Sequence, residues 1–290
     1  MNIRIGFDLT FEVAVPTAMM IMLETHPSET GRFLRPERLR TNPDLRIERF
    51  IDSFGNRCGR LVAPPGTLRL WSDGVIWDTG DPDPIPVTAP QHLVDELPSE
   101  CLQFLLPSRY CEVDLLTEDA WSLFGHTALG WERVTAVLDW VHQNVQYGYE
   151  FARPTKTAVD VFNERTGVCR DFQHLAITFC RALNIPARYA SGYLGDIGVP
   201  PVPIAMDFHA WFEVYLGGRW YPVDARHNTP RIGRVLMARG RDAADTALTT
   251  SFGTAKLVDF HVHTDEIPLI ALEDESSDYD EDELEVALRA

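Results

Sequence analysis

The chain lacks any run of apolar residues approaching the ~20 that a membrane-spanning helix needs, so a membrane partner is not expected. Its most apolar early stretch, Val13 to Leu23, is broken by Pro16 and has no basic stretch before it, a poor fit to a secretory leader. A cytoplasmic setting is expected. An excess of basic charge is also missing. The sequence has 26 Lys and Arg against 43 Asp and Glu, a formal net charge of −17. Such a chain repels phosphate backbones, so nucleic acid is not an expected partner. Cys58, Cys101, Cys111, Cys169 and Cys180 form no CxxC pair, which argues against a structural zinc site. Their odd number and wide scatter argue against a disulfide framework.

What is present is ordinary for a globular protein: 45% hydrophobic and 24% charged residues over 290 positions. Disorder and coiled coil are thereby excluded as descriptions of the whole chain. A chain of this length buries about 75% of the surface its unfolded form exposes, and it suggests two domains. Residues 271–290 stand apart. They hold nine acidic side chains and one Arg, with little to bury, and are expected to be a disordered tail.

Ile3, Ile5, Phe7, Leu9, Phe11, Val13 and Val15 occupy successive odd positions, the period of a half-buried strand. Short β-like runs follow at Met19–Glu24, Arg46–Ile51, Arg57–Ala63, Thr67–Trp71 and Gly74–Asp78, separated by turn signals that include Gly55-Asn56 and Asp73-Gly74. An antiparallel β-sandwich domain is expected over residues 1–114. From about residue 115 the period becomes helical. Trp131, Val134, Val137, Leu138, Val141 and Val145 share one face of a predicted helix, and Thr157–Arg165 reads as a shorter one. A third helix begins near Cys169 and places Phe172, Leu175, Ala176, Phe179, Cys180 and Leu183 on one face, ending before Pro186. Strands are expected at Ala187–Leu194, His209–Leu216, Arg219–Ala225 and Leu257–His263, with Gly217-Gly218 as a hairpin turn. An α+β domain over residues 115–270 completes the expected fold.

Cys169, His209 and Asp224 form the constellation that could carry chemistry. Cys169 sits at a predicted helix N-terminus, where free backbone N–H groups and the helix dipole favour a thiolate, so its thiol is expected to titrate low. If Gly217-Gly218 is a two-residue turn, facing positions sum to 435, and Asp224 becomes a diagonal neighbour of His209. A thiolate can attack a carbonyl, an imidazole can take and return the proton, and a carboxylate can orient the imidazole. The acyl group would then rest on sulfur as a thioester, and the Cys169 N–H is a natural oxyanion donor.

The run Thr166-Gly167-Val168-Cys169-Arg170-Asp171-Phe172 is followed by Asn184-Ile185-Pro186-Ala187-Arg188 and Gly192-Tyr193. Next come Asp207-Phe208-His209-Ala210-Trp211-Phe212-Glu213-Val214 and Trp220-Tyr221-Pro222-Val223-Asp224. Together these resemble the core of the transglutaminase-like superfamily over roughly residues 120–265. The start of the chain resembles the amino-terminal β domain of bacterial transglutaminase-like cysteine proteases. The resemblance implies a papain-like α+β core, a triad of Cys169, His209 and Asp224, and no metal or organic cofactor. It also implies a peptide or protein amide as substrate. Such families hold peptidases and amidases, acyl-transferring cross-linkers and members without catalysis. Hydrolysis of an amide is the favoured expectation, acyl transfer to an amine the alternative, and a non-catalytic binding module the further alternative. The additional carboxy-terminal β domains of animal cross-linking members are not expected here.

Other residues carry blander expectations. Cys180 belongs to the core face, and Cys58, Cys101 and Cys111 are structural. His174 is expected at the surface or behind the site, and Asp171 as a helix cap. Arg226 would face His209 and could bind a substrate carboxylate. His261 and His263, with Asp259 and Asp265, are more simply a solvated strand face than a metal site. Trp211 and Trp220 are core aromatics before they are groove walls.

Overall fold

The computed structural model describes residues 1–201 and 206–268. The expected acidic tail lies outside the described residues. The chain begins with β1 (Asn2–Val13) and β2 (Thr17–Ile21), three short strands β3 (Phe33–Arg35), β4 (Arg40–Asn42) and β5 (Glu48–Ile51), then β6 (Arg57–Ala63) and β7 (Gly66–Trp77). A long connection carrying the one-turn helix α1 (Ser99–Leu102) leads to α2 (Val113–Phe124) and α3 (Trp131–Asn144). The two-residue strand β8 (Gln146–Tyr147), α4 (Ala158–Glu164), β9 (Thr166–Gly167) and α5 (Cys169–Ala182) follow. Strands β10 (Ala187–Tyr193), β11 (His209–Leu216), β12 (Arg219–Val223), β13 (Val235–Gly240), β14 (Thr249–Phe252) and β15 (Ala255–Ile267) complete the described chain.

The alternation at the start of the chain does what period two requires. Ile3, Ile5, Phe7, Leu9, Phe11 and Val13 are all buried, and they share one core with Met19, Ile21, Leu61, Leu68 and Leu70. That core lies between two antiparallel sheets, ordered β15-β1-β7-β3 and β14-β2-β6-β5, with β4 pairing β7 as well. The Asp73-Gly74 turn signal is overridden. β7 runs straight through it, pairing Asp73 with Gly6 and Gly74 with Ile5. Asp73 is held by Arg4 and Arg35, and a side chain at Gly74 would meet the Glu37 backbone at 3.1 Å. The residue pair serves close approach of β7 to the β3–β4 connection rather than reversal.

The last two strands join the sheets that the sequence confines to residues before 115. β15 pairs along the whole of β1, from Asn2 with Ile267 to Val13 with Ala255, and β14 pairs with β2. The reason is the open edge of β1: β7 covers only one side of a 12-residue strand, and unpaired backbone groups beside a buried face are costly.

The second unit is a four-stranded antiparallel sheet, β12-β11-β10-β13, with helices on one side. α5 is the hub, packing against β10 and β11 and against α2, α3 and α4. Its apolar face is the expected one, but the opposite face is buried too: Gln173, His174, Thr178 and Arg181 are all 2% exposed or less. Polar contacts make this tolerable. Arg181, for instance, donates to the carbonyls of Ala187, Leu106 and Arg241. The turn at Gly217-Gly218 has φ of 55° and 85°, the left-handed pair that a two-residue hairpin needs. Facing residues run from Leu216 with Arg219 to Phe212 with Val223, so the expected register holds, and the ladder stops one residue short of Asp224. The two units share a core, since Tyr193, Phe208, Val235 and Met237 pack among the β1 side chains.

Candidate functional site

α5 starts where it does because Asp171, at the third helical position, accepts the Val168 N–H at 3.0 Å, the cap expected of it. Cys169 is thereby fixed as the first helical residue, partly exposed, with its N–H free of any intrahelical partner. The parallel pair β8–β9 brings Tyr147 opposite Gly167, beside the nucleophile candidate. Cys169, His209 and Tyr147 line one cleft of about 250 Å³, together with Asp207, Arg226 and His227.

His209 opens β11 opposite Gly192. A side chain at Gly192 would meet the Val235 carbonyl at 2.1 Å and the Trp211 ring at 3.0 Å, so the absence of one lets β13 close over this end of the sheet. His209 Nε2 lies 2.7 Å from Asp224 Oδ2. Nδ1 is the remaining ring nitrogen for proton transfer, the reverse of the assignment in serine proteases. Asp224, beyond the end of β12, is buried among donors. Gln173 Nε2 reaches Oδ1 at 2.9 Å, and the backbone N–H groups of Arg226 and His227 reach it at 2.9 and 3.2 Å. Arg234 Nη2 stands 3.7 Å from Oδ2. Burial alone would raise this carboxyl, but the contacts with His209, His227 and Arg234 hold it well below the usual carboxylate range.

Burial depresses the His209 imidazole to about 4, with Arg234 and His227 acting in the same direction against the opposing pull of Asp224. Burial likewise pushes the Cys169 thiol up to about 11, and the Asp207 carboxylate adds to it. Arg226 and backbone hydrogen bonds from Ala210 and Arg170 favour the thiolate without prevailing. The low-titrating thiol expected from the helix start is therefore not found. Desolvation in a crowded cleft outweighs the helix terminus for the thiol and the pull of Asp224 for the imidazole.

His227 stacks on His209 with ring centroids 4.8 Å apart and planes 5° from parallel. His209, Asp224 and His227 offer atoms within 4.8 Å of one another, the spacing of a metal site. Their surroundings are ill suited to a cation: Arg231 Nη1 is 2.8 Å from His227 Nδ1, and Arg234 flanks Asp224. The set is built to hold a carboxylate and move a proton.

The remaining candidates fall into place. Arg226 does not face His209 across the hairpin, because the β11–β12 ladder ends at Val223; its guanidinium lies 4.0 Å above the Tyr147 ring, in the cleft. His174 is buried rather than at the surface. It stacks on Tyr110 and accepts the Ala243 N–H at 3.1 Å, bracing α5 from behind. Trp211 is core, and Trp220 meets Phe104 edge to face and lies under the Arg188 guanidinium, away from the cleft. His261 and His263 pair separately, with Asp259 and Asp73. Gln173, His227, Arg231 and Arg234 carry no motif signal in the sequence. Only the spacing of Gln173, one turn from Cys169 on the same helix, could have drawn attention to it.

A model of the transglutaminase-like superfamily matches residues 124–225, a span that contains Cys169, His209 and Asp224. The solved structure of the "Putative Cysteine Protease from Cytophaga hutchinsonii" is 34% identical, covers 92% of this chain and 91% of that one, and superposes with a TM-score of 0.80. The chain belongs to the transglutaminase-like superfamily. It is also 25% identical over 229 residues to an uncharacterized protein of Mycobacterium leprae, covering 77% of this chain and 82% of that protein. Kyphoscoliosis peptidase of Mus musculus is 27% identical over 157 residues, 51% of this chain and 22% of that protein. The fold class expected from the sequence, a transglutaminase-like α+β core joined to an antiparallel β unit, is the one found. Among the described residues no helix is long and apolar enough to cross a membrane.

Proposed function

We propose that this transglutaminase-like chain is a cysteine hydrolase of amide bonds, with Cys169 as nucleophile, His209 as acid–base and Asp224 as orienting carboxylate. The observation that carries the reading is the 2.7 Å contact of buried Asp224 with His209, which lines the cleft that Cys169 opens onto. In the first half-reaction His209 Nδ1 takes the thiol proton as sulfur bonds to the carbonyl carbon. The Cys169 N–H, at the helix N-terminus, faces the charge that develops on the carbonyl oxygen. The C–N bond then breaks, the amine leaves with the proton from His209, and a thioester remains. Water adds to the thioester as His209 removes its proton. The C–S bond breaks, the proton returns to sulfur and a carboxylic acid departs.

In this sequence the proton moves in step with the attack, and Asp224 stabilises the imidazolium that forms. The substrate is a peptide or other amide. The five cysteines are all unpaired in the structure, which fits a reducing compartment, and a cytoplasmic setting belongs to the proposal. The test is amide turnover by the wild-type chain and by Cys169→Ala, with mass spectrometry of acid-quenched protein for the acyl group. Amide cleavage that survives in Cys169→Ala overturns the reading. An added primary amine separates water from amine as acceptor: cross-coupled product in place of free acid would identify acyl transfer.

A further inference from the structure

Two oppositely charged side chains in the cleft have no role in the steps above. Asp207 stands two residues before His209, and Arg226 two residues after Asp224. Both line the cleft with Cys169, and both act on its thiol, Asp207 against the thiolate and Arg226 for it. Among the described residues neither has an ion-pair partner. The contact shown by the Asp207 carboxylate is with the Phe208 backbone, and that of the Arg226 guanidinium is the face of Tyr147. The other charges of the cleft are already engaged. Arg231 donates to the Gly195 carbonyl and to His227, and lies 3.6 Å from Asp196. Residues 202–205 are Val, Pro, Ile and Ala, and supply no cation for Asp207.

An unpaired carboxylate and an unpaired guanidinium, partly withdrawn from water in one cleft with a nucleophile, are costly unless something pairs with them. The cleft is also small. About 250 Å³ is below the usual range for ligand pockets and suits a substrate of a few residues. We propose that Asp207 and Arg226 are the two poles of the substrate site, taking an ammonium and a carboxylate respectively, so that the substrates are small zwitterionic amides such as short peptides with both termini free. The inference rests on the hydrolase reading of the same cleft and names its substrate class. An ammonium against Asp207 would also cancel the charge that opposes the Cys169 thiolate, so that binding the right substrate eases the activation of the nucleophile.

The test is protection of Cys169 in the full chain from alkylation by iodoacetamide at pH 8, followed on its tryptic peptide. The competitors are alanyl-alanine, its N-acetyl form, its C-terminal amide and the doubly blocked compound. Protection is expressed relative to each protein's own unprotected rate. Alanyl-alanine is expected to protect at concentrations roughly tenfold below either singly blocked form, as suits one hydrogen-bonded charge at each pole. Asp207→Asn should remove the advantage of the free amine alone, and Arg226→Gln that of the free carboxylate alone. Equal protection by all four compounds, no protection by any, or preferences that survive both substitutions would overturn the proposal, and the first two of these are read on the wild-type chain. Cleavage of the internal amide of the same compounds, read by mass spectrometry of the products, reports the hydrolase reading separately. Charge-selective protection without Cys169-dependent cleavage counts against hydrolysis and leaves the recognition standing, whereas cleavage with unselective protection does the reverse.

Discussion

Gln173 Nε2 donates to Asp224 Oδ1 at 2.9 Å, one helical turn along α5 from Cys169. The same side chain accepts the Ala225 N–H through Oε1 at 3.1 Å, so it holds both the carboxylate and the backbone that follows it. One rigid helix therefore sets the nucleophile and the position of the acid that orients its base. Gln173→Ala is expected to lower kcat about 10- to 100-fold, the value of a hydrogen bond to a charged group. Gln173→Glu should be worse, because it sets a second carboxylate against Asp224 and raises the pKa of the pair. Kinetics of both variants with thermal unfolding as a control checks this. A Glu variant as active as the Ala variant would show that Gln173 only fills space.

The protonation of the cleft is open to direct measurement. With the thiol pushed up to about 11 and the imidazole down to about 4, alkylation of Cys169 should climb with pH and reach its midpoint above the ~8.5 of a free thiol. A thiolate–imidazolium pair would instead react nearly uniformly from mildly acidic pH upward. Asp207→Asn removes a charge that disfavours the thiolate and should move the profile to lower pH. Arg226→Gln should move it to higher pH. Shifts in the opposite sense would contradict the electrostatics of the cleft.

Acid sensitivity follows from burial. His26 is depressed to about 4, chiefly by burial and by Arg239, and it accepts the Ser28 N–H at 3.1 Å through Nδ1. Its unfolded form takes a proton near pH 6.5, whereas the folded form resists until about 4. The folded state thus loses stability as pH falls through that window. His26→Asn, which keeps a capping acceptor, should narrow the difference in unfolding free energy between pH 7 and pH 5, measured by urea denaturation. An undiminished difference would assign the sensitivity to other groups.

A chain cut to begin at residue 115 should not be well behaved. It would carry β14 and β15 without β2 and β1. It would also expose Tyr193, Phe208, Val235 and Met237, which pack in the core of the first sheets. Aggregation is the expected outcome by size-exclusion chromatography. A monomeric fragment with full activity would show that the β unit contributes nothing to the site.

Much of this was legible because it is local. The alternation of β1, the helical spacing around Val137 and Phe179, and the Gly217-Gly218 turn each express a period or a backbone conformation within a few residues. The turn then points Asp224 toward His209 by counting, although the ladder itself ends at Val223. The rest depends on contacts that no window contains. β13, with the sequence Val-Leu-Met-Ala-Arg-Gly, shows no alternation because both of its faces are mostly covered. The β1–β15 ladder joins residues about as far apart as the chain allows. Gln173, His174 and Arg181 read as a solvated helix face, because polarity in a sequence does not distinguish water from a buried partner. The high titration of Cys169 was hidden for a similar reason: the helix terminus is visible in sequence, but desolvation is not.

The place of β15 beside β1 bears on how the protein is made. β1 leaves the ribosome before the other described strands, and its second neighbour is the last of them to follow. At ~5–20 residues per second, an apolar strand waits on the order of ten to fifty seconds with one edge open. Premature pairing of that edge with another nascent chain is the hazard built into this topology, and dilution or a holding chaperone during synthesis should raise the yield of folded protein.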